Sequence, residues 1–187
     1  VHPQRSPEPR PRRSGALLLA ALLALAGLLW AGRADLPAHL ARWTGGAARA
    51  QATLDYARLS PTLDAAALAR QLDDLPLQCQ ALADGSACEA ALAQANGLPA
   101  ALLRASWQQG RLQAVDVLVP WWAHHRAVGM LTARLGAPGG HEVIAADGQR
   151  IAALSWSLPE GTVQVARAPG WNPLHWTALR WNATPPR

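Results

Sequence analysis

Eighteen consecutive residues without a charge, Gly15 to Gly32 (GALLLAALLALAGLLWAG), follow a stretch holding Arg5, Arg10, Arg12 and Arg13. A helix of that length reaches about 27 Å, close to the ~30 Å hydrocarbon thickness of a bilayer. The eight leucines of the run favour retention as a signal anchor. Gly32-Arg33-Ala34 is the alternative, a small-x-small cleavage site of a secretory signal. Arginines ahead of the run outnumber those close behind it, Arg33 and Arg42, which predicts a cytoplasmic N-terminus and a translocated C-terminal domain. The expected organisation is a basic cytoplasmic tail (1–14), a transmembrane signal anchor held by the lipid bilayer (15–32), a juxtamembrane linker (33–50) and an extracytoplasmic domain (51–187). Pro37 and Gly45-Gly46 punctuate the linker. The expected location is therefore the cell inner membrane, single-pass, with the folded domain in the periplasm.

The formal charge of +5 is carried by the segments flanking the apolar run. Residues 1–14 contribute +3 and residues 15–50 contribute +2, whereas residues 51–187 hold ten Arg against ten Asp and Glu. A nucleic-acid binder concentrates positive charge on its folded domain, so nucleic acid is excluded as a partner. Within that domain the charge divides, with two Arg and six acids in 51–90 and eight Arg and four acids in 91–187. Complementary helical and sheet layers account for this, as does a module with one acidic and one basic docking face.

Cys79 and Cys88 are the only thiols. Beyond a translocation signal a disulfide between them is the expected state. Their spacing matches neither a zinc site nor the C-x-x-C of a redox enzyme.

Local patterns predict α+β: an N-terminal transmembrane helix, then helices, then a mainly antiparallel sheet with one inserted helix. Ser60-Pro61 followed by Leu63, Ala67, Leu68 and Leu72 reads as a helix start and its apolar face. Ser86-Ala87-Cys88-Glu89 matches a capping box and predicts a helix to about Ala95, stopped by Asn96-Gly97. Another helix is expected from Pro99 to near Gly110, carrying Leu102, Leu103 and Trp107. The expected disulfide then pins one helix to the start of the next. From Arg111 the period becomes two, with Val115, Val117 and Val119 marking a strand over 111–119. A helix over 123–135 ends at Gly136. Strands are expected at 143–146 and 151–158 around an Asp147-Gly148 turn, at 162–166, and at 175–181.

Six of the nine tryptophans lie after residue 120. With no Phe and one Tyr, Trp is the chain's available aromatic filler, so core packing is one reading. A binding surface for glycan or a partner protein is the other, with Trp121, Trp122, Trp171, Trp176 and Trp181 as candidates; Trp121-Trp122 is the pair expected to be exposed. His124, His125, His141 and His175, with Asp116, Glu142 and Asp147, show no metal-ligand spacing, and no metal or cofactor is expected. There is no G-x-S-x-G, and Ser155 and Ser157 fall inside a predicted strand. No catalytic residue is assigned.

Arg12-Arg13-Ser14-Gly15 followed by Ala16-Leu17-Leu18-Leu19 resembles the leader junction of type IV pilins and secretion-system pseudopilins. The likeness covers about twenty residues. It departs at Ala20, where that family has Glu, and at Pro37 and Gly45-Gly46, which interrupt a continuing helix. Together these features predict a membrane-anchored, non-catalytic interaction protein that contacts other envelope proteins, as a component or assembly factor of a secretion or pilus system. The alternatives are a periplasmic glycan-binding protein or hydrolase, and a pseudopilin-like subunit.

Overall fold

Alternating burial along the strands builds one ten-stranded, mainly antiparallel sheet with two helices against it. The computed structural model describes residues 50–146, 149–170 and 175–185, together with Leu22, Leu23 and Gly27, and leaves the side chains of residues 141, 142, 144–146 and 149 undescribed. The chain divides into two compact units, Val1–Ala38 and His39–Arg187. In the first, Leu22, Leu23 and Gly27 are helical and both leucines are exposed; the rest of the expected anchor and linker lies outside the described residues. No helix among the described residues is long and apolar enough to cross a membrane.

The second unit runs β1 (Ala50–Ala52), a 3-10 turn (Tyr56–Arg58), α1 (Ala65–Gln71), β2 (Gln78–Leu82), β3 (Gly85–Ala95), β4 (Leu98–Pro99), β5 (Leu102–Gln108) and β6 (Arg111–Pro120). A 3-10 turn (Trp121–Ala123), α2 (His124–Leu135), β7 (Gly140–Ala146), β8 (Gln149–Leu158), β9 (Gly161–Ala166) and β10 (Trp176–Ala183) complete it. The spatial order is β1-β3-β5-β6-β10-β9-β8-β7, with β2 and β4 also paired to β3. The same sequence of parts thus occurs twice. α1 precedes the meander β2-β3-β5-β6, α2 precedes β7-β8-β9-β10, and the last strand of each half meets the other in the middle of the sheet.

Both helices lie on one face. Leu103, Ala105 and Trp107 on β5 alternate with Leu102, Arg104 and Ser106, and only the first set is fully buried. The same face carries Val115, Val117 and Val119 of β6, Leu179 and Trp181 of β10, and Val163 and Val165 of β9. Leu68 of α1 and Ala127 and Leu131 of α2 enter this same core. Two indoles fasten the covering layer: Trp107 Nε1 donates to the Leu63 carbonyl at 2.7 Å, and Trp156 Nε1 to the Gly136 carbonyl at 2.8 Å. Gly161 leaves room for the Trp181 ring, because a Cβ there would run into that ring and into the Asn182 carbonyl.

Three expectations need correction. The first helix begins at Ala65, capped by the Asp64 carboxylate accepting from Ala67 N–H, and not at Pro61. Residues expected as a capping-box helix form the longest strand, β3, and those expected as a helix from Pro99 form β5. The reason is turn chemistry. Asn96 (φ 52°) and Gly97 (φ 76°) connect paired residues Ala95 and Leu98, and Gln109 (φ 50°) and Gly110 (φ 73°) connect Gln108 and Arg111. Two successive positive φ values match the twist of a tight hairpin. Asn96 does further service, its side chain accepting from Leu54 N–H and donating to the Leu54 carbonyl.

The disulfide between Cys79 and Cys88 is formed, and it joins residues directly opposite each other on β2 and β3. It therefore staples an edge hairpin and not a helix pair. In the chain-entropy view, closing so short a loop is worth roughly 2.5 kcal/mol. The paired Cys79→Ser/Cys88→Ser variant is expected to lose about that much in denaturant unfolding, and an equal midpoint for both proteins would refute this.

Candidate interaction surface

The face turned away from the helices carries a row of polar side chains that crosses the sheet. Register places Gln78 of β2 beside Glu89, then Arg104, Asp116, Arg180, Gln164 and Ser155, ending at Gly140 on β7. The charges in it alternate in sign. Arg104 pairs with Glu89 at 2.6 Å, and Arg180 makes a two-pronged contact with Asp116 at 2.6 and 2.9 Å. Fork-to-carboxylate geometry of this kind is the strong form of an ion pair. The Asp116 side chain is 12% exposed and that of Arg180 45%, so the carboxylate lies in the sheet while the guanidinium covers it.

An apolar row runs alongside: Ala91, Leu102, Leu118 and Ala178 are successive neighbours on β3, β5, β6 and β10. Leu102, Leu118 and Ala178 are half-buried and Ala91 is exposed. One step further along β10, Trp176 stands opposite Pro120 and is also half-buried. Beyond Pro120 the 3-10 turn presents Trp121 (39% exposed) and Trp122 (52% exposed), their rings edge to face with centroids 6.3 Å apart. Buried Pro120 and Ala123 hold the ends of that turn.

The tryptophans expected as one surface are therefore divided. Trp121 and Trp122 are exposed, and Trp176 lies on the open face. Trp181 is fully buried beneath the helices; its alternation with Arg180 puts it on the covered side, which removes it from any surface. Trp171 lies outside the described residues. The open face itself was missed, because its charges come from four strands scattered along the chain.

The histidines likewise separate. His124 is buried under β10, its Nδ1 3.4 Å from Thr177 Oγ1, with the His125 ring edge-on to it. His125 and His175 are exposed, and the His141 side chain lies outside the described residues. Among the described residues no three His, Cys, Asp or Glu side chains gather where a metal ion would be held. Ser155 is buried and Ser157 exposed, on a regular strand.

Burial, and next the charge of His125, hold the His124 pKa below its ordinary 6.5, against a smaller opposing influence of the Arg167 backbone. The unfolded chain therefore takes up the proton first as pH falls. Stability is expected to be intact above about pH 6.5 and to decline below it. Denaturant unfolding at a series of pH values tests this, and His124→Gln should flatten the decline. A separate expectation concerns the ion pair: in a double-mutant cycle, Asp116→Ala and Arg180→Ala should show a coupling of about 1–2 kcal/mol, kept modest by the exposed guanidinium. Additive effects would mean that the pair contributes nothing.

Comparison of the chain with protein-family models, with curated proteins and with solved structures finds no match in any of the three.

Proposed function

We propose that this chain is a membrane-tethered, non-catalytic interaction protein of the cell envelope, whose periplasmic domain docks another envelope protein as part of a secretion- or pilus-type assembly. The observation that carries this reading is the open face of the sheet. The four charges of its polar row are already paired with one another, so covering that row strands no lone ion in a dry interface. Beside them lie Leu102, Leu118, Ala178 and Trp176, an apolar strip next to a polar one, as in the core and rim of protein interfaces. Trp176 is the ring that the described residues place on this face, and tryptophan is a frequent anchor of binding energy. The apolar run of residues 15–32 and its arginine bias support the tether and the periplasmic placement of the domain.

Affinity purification from detergent-solubilised membranes, at native expression and after mild crosslinking, tests the reading. The wild-type chain is expected to recover specific envelope proteins, and Leu118→Arg, on the open face, to lose them while remaining folded. Recovery of the wild-type chain alone would overturn it.

A further inference from the structure

The end of the sheet at which β6 stops and β10 starts has a composition of its own. Trp121 and Trp122 project there on the 3-10 turn. His125 and Arg126 follow in the first turn of α2, both exposed. Trp176 begins the strand opposite, exposed His175 precedes it, and exposed Arg167 follows β9. His124, which contacts Thr177 and is influenced by the Arg167 backbone, ties these segments to one place. No acidic residue occurs between Val117 and His141, nor anywhere after Glu160. Exposed indoles and cations, carried on segments without carboxylates, are a combination suited to the headgroup layer of a bilayer. There an indole buries its ring while its N–H stays wet, and arginine meets lipid phosphate. A glycan would be met by ring faces laid open side by side, whereas this pair stands edge to face.

We infer that Trp121 and Trp122, with Arg126 beside them, dock this end of the domain onto the anionic surface of the membrane that anchors the chain. The docking rests on the tether proposed above, which keeps the domain within reach of lipid. It leaves the open sheet face free to take a partner while fixing the domain's orientation.

The full chain is reconstituted into vesicles of phosphatidylcholine brominated near the headgroup, with or without phosphatidylglycerol. Tryptophan emission is read in wild type, Trp121→Ala/Trp122→Ala and Arg126→Glu. The expected result is stronger quenching when phosphatidylglycerol is present. The double variant should lose the quenchable emission of two of the nine rings, and Arg126→Glu should keep the rings but lose the dependence on anionic lipid. Equal quenching of wild type and double variant, or no dependence on phosphatidylglycerol, overturns the docking. Alkaline carbonate extraction reports the tether separately. A chain retained by the vesicles with no quenching difference refutes docking alone, whereas a chain released by carbonate that still shows the difference refutes the tether and supports docking.

Discussion

The antiparallel pairing of β6 with β10 is the joint on which the sheet depends. The last of the described strands, β10, lies in the middle of the sheet, and among the described residues it is where the two meanders pair. Seven residue pairs, from Trp176 opposite Pro120 to Asn182 opposite Ala114, define the register. Val115 with Trp181 and Val117 with Leu179 lie under the helices, and Asp116 with Arg180 lies on the other side. Because side chains alternate along a strand, a slip of β10 by one residue would send Arg180 into the core, away from Asp116, and Trp181 to solvent. Hydrophobic burial and ion pairing thus specify the same register from opposite faces, and the missing Cβ of Gly161 makes room for the Trp181 ring in it.

Once that joint is in place, the character of the open face follows. The polar row is continuous only because eight strands are in step. Acid and base are supplied to it alternately by β3, β5, β6 and β10, so each charge finds its opposite on the next strand. What remains is a broad surface without unpaired ions along that row and with half-buried leucines beside it. Such a surface suits contact with a second protein. At one end the chain leaves the sheet through exposed Trp121 and Trp122, so an aromatic edge adjoins this surface.

Much of the second half of the domain was legible from local pattern. Val115, Val117 and Val119 announce β6 by alternation, and Gly136 ends α2 where expected. β3 and β5 were not read correctly, because Ala and Leu have high helix propensity and Ser86 with Glu89 imitates a capping box. Tertiary pairing overrode that propensity. A correct signal was present in Asn96-Gly97, which marks a hairpin more strongly than a helix stop, and in the alternation of Leu103, Ala105 and Trp107. Of the site, the Cys79–Cys88 bond and the exposure of Trp121 and Trp122 agree with the sequence reading. The burial of Trp181 was not legible from alternation alone, which sets it opposite Arg180 but does not tell which face the helices will cover.

By itself the sequence determined the charge-free run of Gly15–Gly32, the alternation that commits Val115 and its neighbours to one side of a strand, and several of the turns. Each of these is a property of residues close together in the chain, where backbone propensity and periodicity act. Only the tertiary structure decided that β10 enters between β6 and β9, that both helices take the same face, and that Asp116 meets Arg180 across 64 residues. Those outcomes arise from which strands find one another. That selection is made by burial summed over the whole sheet, and no short stretch of sequence carries it.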